Sequence, residues 1–457
     1  MIYPPAHERE AIYSRLLNRT LLVRTPTRFG ERGHSFLYAS SNAVVRSPSP
    51  DEEIRREAAA FQAEMRAVLA TPGPESIVPA EGTPDAFKAA IQQMHEAGNY
   101  STLLFEGYVA DSTREHAPMV ESLAQEFTAQ GLVVLRPSGP VSDTWNNKTR
   151  FVNHMRERYG PEATPPGDVL PVAPADDVIA KTRARLKVAG RVILKVTGFG
   201  GFGNLVVSQA DDDAGALDPK VRAFLDSRPD VSDVRVEDWV NWNQTLCASF
   251  FIDEKGEPTP LEVCSQLLTK NTGFLGGSSH TGLALADRQA IQNLSMPFVN
   301  MVAADGMRAF MAVDVILSNP SGRPGELLLP ASGQAIRFVE ANLRINGHNQ
   351  DRLFIAQLAA RHGRDLDRLD HLKVGVRPTG ARNRADFQAT TAKALDGFAQ
   401  PIGPTFETRV IYYVVTESLG EARAHRNDNV LFVGEDVPLD RFEDAAGRLR
   451  AAGILRE

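Results

Sequence analysis

RFVEANLR, residues 337–344, sets a glutamate, an asparagine and an arginine at alternate positions of a strand-like segment. Side chains alternate faces along a strand, so Glu340, Asn342 and Arg344 fall on one face together with Phe338, while Val339, Ala341 and Leu343 point the other way. An acid, an amide and a guanidinium beside an apolar face are costly unless something polar fills the space between them. Glutamate and asparagine oxygens are hard ligands suited to magnesium, and a guanidinium suits a phosphate or a carboxylate. Upstream, MAVDVIL (311–317) places Asp314 in a nearly all-apolar strand, where a carboxylate must be paired or bound to metal. Two readings stay open. Asp314 and Glu340 pair with Arg308, Arg337 or Arg344, or they hold a metal ion.

Further upstream, KVTGFGGFGN (195–204) carries Gly198, Gly200, Gly201 and Gly203 just after a strand that contains Lys195. Without side chains, such a loop lets backbone N–H groups close on phosphate oxygens, and the lysine adds a point charge. Gly198, Gly200 and Gly203 also fit the dinucleotide fingerprint, but that motif requires a helix after the turn, and NLVVSQADDD reads as a strand. The Walker pattern is absent. A plain hairpin turn remains the alternative to a loop that closes over a nucleotide. VRVEDWVNWNQ (234–244) puts Glu237 at the end of an apolar strand, where a crossover would present backbone groups to an adenine edge, or serve only as a connection. Lys148, in NNKTRF, begins a segment that reads as a helix.

The 457 residues carry a net charge of -7, with 42% hydrophobic and 23% charged side chains. This is the composition of a soluble globular protein of several domains, and it argues against nucleic acid or an anionic membrane as the main partner. Cys247 and Cys264 lie in strand-like stretches and read as small buried hydrophobes, neither a disulfide framework nor a zinc site. The N-terminus lacks a signal-peptide core and no apolar run is long enough to span a membrane, so a cytoplasmic protein is expected.

Strands at 19–25, 101–106 and 132–136 alternate with helices at 51–70, 84–97 and 117–130, which predicts an open, largely parallel sheet over residues 1–145. The middle of the chain reads as strands at 192–196, 204–208, 234–240, 245–253, 260–268, 308–317 and 335–344, with a long helix at 284–304. Asp211, Asp212 and Asp213 read as a solvated loop. TKNTGFLGGSSHTG (269–282) reads as a Gly- and Ser-rich loop that either shapes a substrate pocket or lies free on the surface. From 366 the pattern predicts a small α+β unit. His280 and His348, in polar contexts, are candidate bases.

The order of these pieces resembles the ATP-grasp superfamily over about residues 130–360. The resemblance implies an N-terminal Rossmann-like pre-ATP-grasp domain (1–145), a central ATP-grasp domain (146–365) with a flexible lid at about 192–240, and a C-terminal α+β extension (366–457). It implies that Lys148, Lys195 and the glycine loop hold the phosphates of ATP. Glu237 with the backbone of Trp239 and Val240 would hold adenine, with Asn243 or Gln244 near the ribose. Asp314, Glu340 and Asn342 would hold magnesium, two ions in this family. The implied activity is a carboxylate–amine ligase working through an acyl phosphate on a small carboxylic acid and an amine or peptide. The arrangement is most similar to a peptide ligase of the superfamily that takes a guanidino-acid. A homodimer is the expected assembly. D-Ala–D-Ala ligases carry an arginine two residues before the metal aspartate, whereas Ala312 stands there here, so the acyl-phosphate contact falls to Arg344 or Arg308. A phosphotransferase acting on a hydroxyl and a non-catalytic ATP-binding regulator are the competing classes.

Overall fold

The computed structural model describes residues 6–18, 20–24, 43–46, 75–77, 83–98, 100–105, 117–137, 139–196, 204–228, 231–268, 272, 274–376, 384–401, 410–415 and 429–455. The expected helix at 51–70 and the four loop glycines, Gly198, Gly200, Gly201 and Gly203, lie outside them.

Helix α1 (Ala6–Asn18) leads into a five-stranded parallel sheet in the order β3-β2-β1-β4-β5. Its strands are β1 (Thr20–Arg24), β2 (Ala43–Arg46), β3 (Glu75–Ile77), β4 (Thr102–Phe105) and β5 (Val133–Leu135). Leu21, Val23, Leu103 and Phe105 pack against Phe87 and Ile91 of α2 (Pro84–Gly98) and Leu123 and Phe127 of α3 (Ala117–Ala129). Leu22, Leu104 and Leu135 face the other way and join a second core with Tyr13 and Leu16 of α1. Burial on both faces is why these strands read as continuous apolar runs.

After α4 (Gly139–Trp145) and α5 (Lys148–Tyr159), a four-stranded antiparallel unit forms in the order β6-β9-β7-β8. It comprises β6 (Gly167–Pro171), α6 (Ala175–Ala189), β7 (Arg191–Val196), β8 (Leu205–Ser208), α7 (Gln209–Asp213), α8 (Leu217–Asp226) and β9 (Asp233–Asp238). The unit begins at Gly167, ahead of the expected start near 192. The three aspartates are no loop: they complete α7, where Asp211 accepts from the backbone and hydroxyl of Ser208 in a capping box, and Asp212 pairs with Arg183 at 2.8 Å.

The rest of the chain builds a nine-stranded sheet in the order β14-β13-β10-β11-β12-β15-β18-β17-β16. Its first members are β10 (Gln244–Ile252), β11 (Pro258–Leu268), β12 (Phe274–Ser278), β13 (Ala309–Ser318) and β14 (Ala335–Asn342). Helix α9 (Leu285–Ala304) packs on one face, sharing a core with α5 and with Leu246, Ala248 and Phe250 of β10. Helix α10 (Gly347–His362) covers part of the opposite face and shares its core with the parallel sheet. The remaining strands, β15 (Leu369–Gly375), β16 (Gln400–Pro401), β17 (Val410–Val415) and β18 (Asn429–Glu435), are accompanied by α11 (Arg384–Ala394) and α12 (Leu439–Ala451). They extend the central sheet through β12, so the sheet runs unbroken across residue 366. The segment read as a loop at 269–282 supplies β12, an interior strand. Among the described residues no helix is long and apolar enough to cross a membrane.

Strict alternation fails at one point in β14. Asp314 pairs with Glu340 but the next residue, Val315, pairs with Phe338, so Val339 is an extra residue in a β-bulge. Phe338 therefore turns into the core with Ala341 and Leu343 and is fully buried. Val339, expected on the core side, lines a cleft with Glu340 and Asn342. Phe338→Ala is expected to cost about 3–5 kcal/mol, while Val339→Ala costs about 1 kcal/mol or less, both read from chemical denaturation midpoints. Equal losses at the two positions would reject the bulged register.

Candidate active site

A cleft of about 330 Å³ lies between the four-stranded unit and the central sheet, with Asp314, Glu340, Asn342 and Arg344 along its floor. Asp314 on β13 and Glu340 on β14 are directly opposed. Gln266 Nε2 donates to Asp314 Oδ1 (3.0 Å) and Asn342 Nδ2 donates to Asp314 Oδ2 (2.9 Å). Arg344 Nη2 donates to Asn342 Oδ1 at 3.1 Å. Lys148 Nζ reaches Glu340 Oε2 at 2.8 Å. Each residue of the short run before that lysine has a task. Asn146 Oδ1 accepts from the Leu343 N–H (2.9 Å), just past the end of β14. Asn147 caps α5 by accepting from the N–H groups of Thr149 and Arg150. Lys148 is thereby fixed at the first turn of a capped helix, pointing at the floor.

The two floor carboxylates are unlike. Burial, and then the neighbouring Glu340 charge, push the Asp314 carboxyl up. Burial also works against Glu340, but Lys148 beside it outweighs this and holds Glu340 low, with Lys195 and Arg344 adding to the effect. Cys247, the cross-strand partner of Asp314 on β10, has its thiol pushed well up by burial and by that aspartate.

On the roof, Lys195 of β7 is buried and its Nζ lies 2.6 Å from Glu237 Oε2 of β9. Arg235 holds the other oxygen of Glu237. The Glu237 side chain is thus 1% exposed and engaged with cations. It lines the cleft as the partner of Lys195, with both oxygens taken by cations, where the resemblance implied a place at an adenine edge. Asn204, at the end of the glycine loop, donates to Thr272 Oγ1 at 2.6 Å, a direct contact between the roof and the connection from β11 to β12.

At the back of the cleft the chain crosses from β9 to β10. The Trp239 N–H donates to the Arg191 carbonyl (3.0 Å) and its ring lies under the Arg191 guanidinium. The N–H of Val240, next along the crossover, has no partner among the described residues. Trp239 and Trp242 rings lie 4.3 Å apart, and both residues line the cleft with Val240 and Thr245. Asn243 and Gln244, expected near a ribose, do not line it. Asn243 donates to Asn319 Oδ1 (2.8 Å), and Gln244 to the Thr281 carbonyl (2.7 Å). A strand position after the crossover decides this, and Trp242 and Thr245 take the cleft side instead. Arg308 is also outside the cleft: its guanidinium donates to the carbonyls of Ala303, Met307 and Glu254 and so closes the turn from α9 to β13. Arg344 is left as the arginine of the floor.

Sequence reasoning missed Gln266, Asn346 and the whole of α10. Asn346 lines the cleft and caps α10, whose other end is Gly363 in the left-handed region at φ 58°. Those two cap residues were the available signal. His348, a candidate base, does line the cleft, where burial draws it down to about 3. His280 does not. Its Nε2 lies 3.6 Å from Asp370.

No protein-family model matches the chain, and no curated protein does by sequence. Solved structures do. An N5-carboxyaminoimidazole ribonucleotide synthetase in complex with ADP aligns at TM-score 0.56 and 13% identity, covering 96% of this chain and 97% of that one. The N5-carboxyaminoimidazole synthase of Aspergillus clavatus, in complex with ADP and 5-aminoimidazole ribonucleotide, aligns at TM-score 0.57 and 16% identity, covering 95% and 99%. The biotin carboxylase domain dimer of Hydrogenobacter thermophilus 2-oxoglutarate carboxylase, with MgADP, ADP and bicarbonate, aligns at TM-score 0.54 and 13% identity, covering 96% and 91%. Identity this low speaks for the fold alone, and that fold is the ATP-grasp one, a multidomain α/β and α+β chain with a Rossmann-like sheet ahead of the central unit and an α+β extension behind it.

Proposed function

We propose that the chain is an ATP-dependent carboxylate–amine ligase, which activates a small carboxylic acid as its acyl phosphate and passes the acyl group to an amine. The observation that supports this most is the linked floor of the cleft, where Lys148–Glu340 stands opposite Asp314–Asn342–Arg344. Structures that share the fold carry ADP, and one carries MgADP with bicarbonate. The motif order is most similar to the peptide ligase of pheganomycin biosynthesis, which joins a small guanidino-acid to the amine of a peptide, and the same classes of acid and amine are proposed here. A homodimer is the proposed assembly, and the bicarbonate-bound domain of like fold is itself a dimer.

In this reading adenine lies against the crossover, where Val240 offers an N–H. Lys195 and Lys148 hold the phosphates, with the loop of Gly198, Gly200, Gly201 and Gly203 over them. Asp314, Glu340 and Asn342 present hard oxygen ligands on adjacent strands, with two carboxylates directly opposed, a donor set that fits two magnesium ions. Magnesium, when bound, neutralises charge that develops on the transferred phosphoryl group. A carboxylate oxygen of the acid attacks the γ-phosphorus, the bridging P–O bond breaks, and ADP leaves with the electron pair. The amine nitrogen then attacks the acyl carbon, the acyl C–O bond breaks, and inorganic phosphate leaves while the amine gives up a proton. Arg344 faces the place where the acyl phosphate and the oxyanion form, and stabilises both. Closure of the roof keeps water from the intermediate.

Assays with ATP, magnesium, a carboxylic acid panel and amino-acid or peptide amines are expected to give ADP only when acid and amine are both present, with an amide product. A stable phosphorylated alcohol would instead make the protein a phosphotransferase, and ATP binding without turnover across the panel would make it a regulator. Asp314→Asn and Glu340→Gln are each expected to lower kcat by about 10²-fold or more, with unchanged circular dichroism. Wild-type turnover in both variants would reject their role in holding metal.

A further inference from the structure

Beside the cleft, and reaching it through His348, lies a second cluster that the ligase chemistry does not use. Cys264 of β11, His371 of β15 and His348, the second residue of α10, each bring one ligand atom to a common point, all within 4.8 Å of one another. The three are 0%, 0% and 2% exposed, respectively. Both ring nitrogens of His348 and both of His371 lack a hydrogen-bond partner among the described residues. Buried polar groups are nearly always satisfied, and each one left unmade costs about 1–3 kcal/mol. One nitrogen of each ring meets the Cys264 sulfur at that point, with no hydrogen-bond partner among the described residues to hold it.

The rings are seated there by the backbone. Gly277 of β12 presses on His348: a Cβ at that position would stand 2.0 Å from His348 Cε1 and 2.9 Å from Nδ1. The edge of Phe274 closes on the same ring at a centroid distance of 5.6 Å. Asp351, whose Oδ1 takes Lys373 Nζ at 3.0 Å, does not belong to the cluster, so the ligands at the common point are one sulfur and two imidazole nitrogens. That set selects a borderline-soft cation of the zinc class over magnesium.

We propose that Cys264, His348 and His371 bind one zinc-class divalent ion, with a fourth place left for water or a small ligand. Zn–S of about 2.3 Å and Zn–N of about 2.0 Å give tetrahedral edges near 3.5 Å, so the ligand atoms close in by about 1 Å on binding. Both rings are buried without a hydrogen-bond partner among the described residues, so a nitrogen lone pair of each is free for the ion. Cys264 binds as the thiolate, so the ion displaces the thiol proton on binding. The ion clamps the start of α10 to β11 and β15, four residues beyond Arg344.

The test uses the full chain without a histidine tag. Elemental analysis after zinc loading and desalting is expected to find about one zinc per chain. The chelator-stripped protein, given cobalt(II), is expected to show a thiolate-to-cobalt charge-transfer band in the near ultraviolet. Cys264→Ser changes one atom and is expected to abolish that band, and His371→Ala to weaken zinc by about tenfold or more. Excess magnesium should displace nothing. If His371→Ala does not fold, the band in the Cys264→Ser chain, checked by circular dichroism, decides alone. No zinc above background, or a cobalt spectrum that Cys264→Ser leaves unchanged, overturns the site.

Discussion

Glu340 looks into the cleft while Phe338, two residues earlier, lies in the core, and both cannot hold on a regular strand. The extra residue at Val339 reconciles them. Before the bulge, Ile336 and Phe338 seal the core against α5 and α9. After it, Glu340, Asn342 and Arg344 belong to the cleft, and Ala341 and Leu343 take over the core. The same shift sets Glu340 opposite Asp314 and within reach of Lys148, which holds Glu340 low, while burial and then the Glu340 charge raise Asp314. A one-residue slip would turn every floor side chain to the other face.

The roof has the complementary property. Lys195 and Glu237 form a buried pair, and pulling one member from such a pair ordinarily strands the other at high cost. Arg235 removes that penalty, because it holds the second oxygen of Glu237 from the same strand. Lys195 can turn away while Glu237 keeps a cation. The crossover is built to be rigid by contrast, with Trp239 fixed by its N–H and by the Arg191 guanidinium over its ring.

Much of this was legible in the chain alone. Charged residues inside apolar strands are expensive, so Lys195, Asp314 and Glu340 announce a site wherever the strands go, and Asn147 before Lys148 is a local cap signal. What was not legible depends on partners distant in sequence. The bulge is a property of two strands, and no pattern within RFVEANLR reveals that β13 skips Val339. Asn243 and Gln244 face away from the cleft because β10 takes its register from β13. Helix α10 carries no strong polar stripe because it is buried between two sheets, so its period gave no contrast. Gly276 and Gly277 read as loop residues, yet they serve close approach. A Cβ on Gly276 would stand 2.0 Å from the Lys373 carbonyl oxygen, so only glycine lets β12 pass there.

That close approach explains how the C-terminal strands bear on the floor. β12 is the narrow joint between the strands that carry Asp314 and Glu340 and those that follow residue 366. Helix α10 bridges the same joint. Asn346 at its start lines the cleft and donates to Cys247 Sγ at 3.4 Å, while Arg352 in its body reaches Glu262 at 3.0 Å and the Leu369 carbonyl at 2.9 Å. Arg344 thus lies in the short chain segment between β14 and a capped, buried helix. In the proposed reaction, a guanidinium tied to Asn342 Oδ1 on a chain segment anchored by both elements would lose little further freedom on meeting an acid, which is the preorganisation that favours a developing negative charge.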